Sequence, residues 1–116
     1  EKFVDWVMAV MASGLNGQSF AFNGYLPVKP PERVQAIRRF ERRAHAEGQS
    51  QLFIEAPYRN VKLMEQLLQT LAPETRLTVA MDITAPGEFI RTLRVREWRA
   101  AELPAMNKRP AIFIIG

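Results

Sequence analysis

The stretch Gln51-Leu52-Phe53-Ile54-Glu55-Ala56-Pro57-Tyr58-Arg59 constrains the fold more than any other part of the chain. Three consecutive apolar residues specify a buried strand. They run without a spacer into a carboxylate, a proline, an aromatic ring and an arginine. In sheets flanked by helices, ligands gather at strand ends, where side chains leave the core yet stay rigidly held. A polar cluster at such an end is therefore either a ligand site or the cap of the helix that follows.

The remaining segments supply the rest of a layered domain. Phe3 to Met11 is apolar except for Asp5 and predicts a buried helix that ends at Ser13-Gly14. Ser19 to Leu26 alternates aromatic with small or polar residues and predicts a strand with a bulge at Gly24. Pro31 suits the first turn of a helix. In that helix Val34, Ile37, Phe40 and Ala44 form the inner face, Arg33, Arg38, Arg39, Arg42 and Arg43 a solvated outer one, and Gly48 the end. Asn60 is expected to cap a further helix with the stripe Val61, Met64, Leu67, Leu68 and Leu71. Strands are predicted over 76–83, 89–95 and 110–116, with a turn at Thr84-Ala85-Pro86-Gly87 and a short helix over 96–102. The expected fold is α/β: a three-layer sandwich in which a mixed sheet of about five strands is flanked by helices.

At 116 residues the chain fits one domain, 1–116, with no linker, repeat or low-complexity tract. The absence of cysteine excludes disulfides and thiolate metal sites and suits a reducing compartment. No apolar run approaches the roughly 20 residues of a membrane helix, and Glu1 to Asp5 lacks the basic start of a signal peptide. A cytoplasmic protein without membrane contact is expected. The net charge of +4 permits an acidic partner such as nucleic acid.

Phosphate loops, H-E-x-x-H and Gly-x-Ser-x-Gly are all missing. His45, the one histidine, lies among Arg42, Arg43 and Glu47 with no neighbouring ligand, so no metal site is expected. Glu55 and Arg59, four residues apart across Pro57, can pair and lock the strand-to-helix turn, or Glu55 can face a ligand. Asp82, at the end of the next apolar strand, carries the same two readings. Arg91, Arg94, Arg96, Arg99, Lys108 and Arg109 make a second basic group, with Trp98 available for stacking if they share a face.

Three ordered motifs add a resemblance. Ala12-Ser13-Gly14-Leu15, Phe20 to Lys29 (Phe-Ala-Phe-Asn-Gly-Tyr-Leu-Pro-Val-Lys) and Phe53 to Arg59 (Phe-Ile-Glu-Ala-Pro-Tyr-Arg) resemble the second half of tetrapyrrole-methylase superfamily enzymes. They are most similar to the branch that methylates small-subunit ribosomal RNA on a cytidine 2′-hydroxyl. The resemblance implies the C-terminal domain of a two-domain methyltransferase whose N-terminal domain is absent from this chain. It further implies S-adenosyl-L-methionine in the interdomain cleft, a homodimer, and RNA as acceptor, with a tetrapyrrole as the alternative. A non-catalytic role in dimerisation or RNA docking is the reading from another class. On the same basis Ile54, Ala80, Met81, Pro110 and Ala111 would meet the adenosine end of the cofactor. Glu55 is the candidate base or orienting carboxylate, and Arg59 and Asp82 are substrate or clamp residues. The chain departs from the pattern at Phe3-Val4-Asp5, where the family has Gly-Pro-Ser. It departs again at Met81 to Glu88, where the ribosomal branch carries a basic run.

Overall fold

The computed structural model describes Ala9, Gly14 and residues 19–116. Along that span run β1 (Phe20–Tyr25), α1 (Pro30–Glu47), β2 (Ser50–Ile54), a 3₁₀ turn (Pro57–Arg59), α2 (Asn60–Thr70), β3 (Arg76–Met81), β4 (Phe89–Arg94), α3 (Val95–Ala100) and β5 (Ala111–Ile115). The predicted N-terminal helix and the Ala12–Leu15 motif lie outside the described residues except at Ala9, which is helical, and Gly14.

The five strands form one mixed sheet in the order β1-β2-β5-β3-β4. β1 and β2 are parallel, and β5 enters antiparallel between β2 and β3. β1, β2 and β3 therefore point their carboxyl ends to the same edge, where β5 begins. This mixed α/β sheet is the architecture expected from the sequence.

Side-chain alternation divides the core in two. Phe53, Leu77, Val79, Met81, Ala111, Phe113 and Ile115 face the side covered by α1, α2 and α3. Phe40, Phe53 and Phe113 stack through that layer with centroids 6.4 and 6.0 Å apart. Leu52, Ala80, Ile112 and Ile114 face the other side and cluster with the fully buried Ala9. A sheet buried on both faces accounts for the unbroken apolar runs of β2, β3 and β5.

Local chemistry sets the boundaries. Pro30 and Pro31 open α1, and Gly48 closes it with φ 61. Gly24, at φ 70, accompanies a register shift between Phe22 and Tyr25, the predicted bulge. Three expectations are corrected. Asn60 does not cap α2; the preceding 3₁₀ turn starts the helix, and the Asn60 side chain donates Nδ2–H to the carbonyls of Met106 (3.4 Å) and Arg109 (2.6 Å). The inner stripe of α2 is Asn60, Leu63, Met64 and Leu67, while Val61 is exposed. β3 also stops two residues short of the predicted 76–83, because Asp82 turns to φ 51.

Candidate functional site

A cleft of about 460 Å³ lies across the strand ends, walled by Tyr25, Ile54, Glu55, Pro57, Ala80, Asp82, Ile83, Ala85 and Pro110 to Ile112. That volume lies in the range of small-molecule sites. The carboxyl ends of β1, β2 and β3 and the start of β5 converge there, so the wall is built from residues on, or just beyond, hydrogen-bonded strands. Ile54, Ala80 and Ile112 present the apolar surface, since all three belong to the sheet face turned away from the three helices.

Glu55 leaves the sheet one residue after β2, and its carboxylate is buried. Oε2 pairs closely with the Arg33 guanidinium. Oε1 accepts the Ala56 N–H at 2.8 Å and lies 3.4 Å from the Arg59 guanidinium. Arg33, itself buried, also donates Nε–H to the Pro27 carbonyl at 2.7 Å and a guanidinium N–H to Gln66 Oε1 at 3.1 Å. One arginine thus ties the loop before α1, the end of β2 and the middle of α2. Both carboxylate oxygens of Glu55 are engaged, and the group braces the cleft wall from behind.

Asp82 is the second carboxylate of the cleft. Its left-handed backbone is fixed by Asp82 N–H to the Pro110 carbonyl (3.1 Å) and by Ala85 N–H to the Asp82 carbonyl (2.9 Å). Arg109 donates Nε–H to Asp82 Oδ2 at 2.8 Å and its two terminal nitrogens to the carbonyls of Ala105 and Gly87, each at 2.7 Å. This guanidinium buttons the 82–88 loop to the 105–110 loop.

The structure gathers Ile54, Glu55, Ala80, Asp82, Pro110 and Ala111 around one cleft. Met81 departs from its expected place. Alternation turns its side chain to the helix-covered face, where it is fully buried. Arg59 stands outside the wall, bonded to Tyr58 Oη at 2.8 Å and stacked over that ring with its central carbon 4.9 Å from the centroid. Arg33, read from sequence as part of a solvated face, is the residue most plainly missed. It falls four, seven and eleven positions before Ile37, Phe40 and Ala44, and so on their stripe. Tyr25, Pro57, Ile83, Ala85 and Ile112 complete the wall without having been predicted as site residues.

The second basic group does not form a surface with Trp98. The indole is buried, with Nε1–H on the Leu77 carbonyl at 2.8 Å. Arg94 and Arg96 pair with Glu74, and Arg99 donates to the carbonyls of Leu68 and Leu71. On α1, Arg38, Arg39 and Arg42 are exposed as expected, with Arg39 and Arg43 lying over Phe40. His45 is exposed and reaches Thr75 Oγ1 at 3.3 Å. Among the described residues no group of three or more His, Asp or Glu side chains converges as metal ligands would. No helix among them is long and apolar enough to cross a membrane.

The mixed α/β fold is shared with a methyltransferase of known structure, CobJ. The two superpose with a TM-score of 0.57 at 17% identity, over 96% of this chain and 46% of that one. In sequence the chain is similar to proteins named ribosomal RNA small subunit methyltransferase I: 26% identical to that of Pseudomonas aeruginosa and 28% to that of Vibrio cholerae. The first match covers 95% of this chain and 39% of the relative, the second 78% and 30%. The protein of that name from Escherichia coli O157:H7 is 26% identical over 94% of this chain and 37% of its own length. No family model matches the chain. The resemblance to the tetrapyrrole-methylase superfamily, and within it to the ribosomal branch, is borne out. The chain spans well under half the length of these relatives.

Proposed function

We propose that this chain is the C-terminal half of a two-domain, S-adenosylmethionine-dependent methyltransferase that modifies ribosomal RNA on a ribose 2′-hydroxyl. The observation that carries the proposal is the strand-end cleft. Its walls contain four of the five residues the resemblance assigns to the cofactor, Ile54, Ala80, Pro110 and Ala111. An apolar slot edged by backbone fits an adenine ring, which needs hydrophobic contact and a few main-chain hydrogen bonds. The names of the sequence relatives support RNA as acceptor.

When bound, S-adenosylmethionine supplies an activated methyl group on its sulfonium sulfur. The protein then has to hold donor and acceptor in line, so positioning dominates the catalysis. Ile54, Ala80 and Ile112 exclude water from the slot. Glu55, occupied by Arg33, Arg59 and the Ala56 N–H, acts as a positioning residue that keeps the Ala56–Pro57 wall in place. Asp82 has about a fifth of its side chain exposed and is the carboxylate left to orient an acceptor hydroxyl. The resemblance alone supports an N-terminal domain closing over the cleft, a homodimer and a cytoplasmic setting.

The test is transfer of labelled methyl groups from S-adenosylmethionine to small ribosomal subunits, using the natural polypeptide that carries this chain. The subunits come from cells lacking the gene. Incorporation at a ribose is the expected result. A protein that leaves these subunits unlabelled yet methylates a porphyrin-like acceptor would move the assignment to tetrapyrroles.

A further inference from the structure

Two aromatic side chains stand exposed at or beside the cleft wall. The 3₁₀ turn after Glu55 pushes Tyr58 outward, and Tyr58 and Tyr25 are 65% and 64% exposed. Tyr25 lines the cleft, and Tyr58 directly follows Pro57, which lines it too. Cations collect at the same place. Arg59 follows Tyr58 directly, and Lys62 lies one helical turn further along α2, on the same side. The loop carrying Lys108 is stapled beneath the turn by the Lys108 N–H on the Pro57 carbonyl at 3.2 Å and by the two Asn60 hydrogen bonds.

The charge balance there is one-sided. The two acids of the cleft are each engaged by a basic partner, Glu55 by buried Arg33 and Asp82 by Arg109. Arg59 makes a 3.4 Å second approach to Glu55 and lies over one face of the Tyr58 ring, and Lys62 and Lys108 are exposed with no ion pair among the described residues. Exposed rings beside two cations without an ion pair and a third held only at 3.4 Å match a single nucleic-acid strand, whose bases stack on the free ring faces while its phosphates meet the cations. Resting on the RNA reading above, we propose that Tyr58, Arg59, Lys62 and Lys108 grip the single-stranded RNA that flanks the methylated nucleotide.

Fluorescence anisotropy of a short labelled single-stranded RNA, titrated with the natural polypeptide at several salt concentrations, tests this. Tyr58→Leu is expected to weaken binding about tenfold at every salt concentration, as the removal of one stacking platform would. The pair Lys62→Gln and Lys108→Asn should lower the slope of log affinity against log salt by about 1.4, at about 0.7 for each phosphate left without its cation. Asparagine is chosen at 108 because that residue has φ 62, which asparagine tolerates. Calorimetry with S-adenosylmethionine and matched thermal melts should show the variants unchanged, since all three side chains are exposed. If the parent binds RNA and the variants match it in affinity and salt slope, the surface is wrongly assigned while the RNA reading stands. If the parent binds no RNA but binds a carboxylated porphyrin, the RNA reading fails and this inference with it.

Discussion

Arg33 and Asn60 show how two polar side chains can hold up a binding site without touching a ligand. Each occupies an inward position on its helix: Arg33 in register with Ile37, Phe40 and Ala44, Asn60 with Leu63, Met64 and Leu67. Arg33 resolves its burial through Glu55, Gln66 and the Pro27 carbonyl. Removing one partner of a buried ion pair strands the other, at a cost of about 3–5 kcal/mol, whereas an apolar replacement of both is often close to neutral. Urea unfolding of Arg33→Met should therefore show a loss of that size, with much of it recovered in the Arg33→Met, Glu55→Leu double variant. Arg59→Ala, at a partly exposed position with a longer contact, should cost under about 1 kcal/mol. Equal costs at 33 and 59 would contradict the assignment of the clamp to Arg33 alone. The sequence made the Glu55–Arg59 pair visible because its members are four residues apart. It hid Arg33 because the partner lies 22 positions away and because arginines on a mixed-charge helix are ordinarily solvated. The clue was present in the spacing: a strict 3.6-residue count puts Arg33 on the apolar stripe, where a charge requires a buried partner.

At the scale of elements, the helix and strand limits follow local rules, while the loops around the cleft follow long-range ones. Gly48 ends α1 in the left-handed region, and a Cβ there would meet nothing within 4 Å. The cost of Gly48→Ala is then conformational alone, about 1–2 kcal/mol by thermal or urea unfolding. A negligible change would mean that the helix end frays. The Gly24 bulge and the Gly48 stop were legible because glycine at those points has a mechanism. The early end of β3 was not, since Asp82-Ile83 continues the apolar run and its turn depends on the Pro110 carbonyl and Arg109 from another loop. Arg109 itself was legible only as a charge. Arg109→Met should release the 82–88 loop and weaken S-adenosylmethionine binding about tenfold, because small displacements of a positioning wall carry large costs. If cofactor affinity is untouched while stability falls, the guanidinium supports the fold and not the cleft.

For the whole molecule, the mixed α/β sheet could be read from three apolar runs and two amphipathic helices, but the order of strands could not. Nothing local in Ala111 to Ile115 announces that it inserts between β2 and β3, two segments far earlier in the chain. That insertion builds the site. It brings Pro110, Ala111 and Ile112 between the ends of β2 and β3, so that walls separated in sequence close around one cleft. Trp98 shows the converse, a residue set beside basic neighbours by sequence and withdrawn into the core by packing. The claim on which the rest depends is that the strand-end cleft holds the methyl donor. Isothermal titration of the natural polypeptide with S-adenosylmethionine tests it directly, comparing the parent with Ile54→Trp, which fills the slot, and with Leu68→Trp on the helix layer away from it. A saturable heat in the parent and the Leu68 variant, and an affinity lowered at least about tenfold in the Ile54 variant, equivalent to about 1.4 kcal/mol, is the predicted result. Undiminished binding by Ile54→Trp, or no binding by the parent, would contradict it.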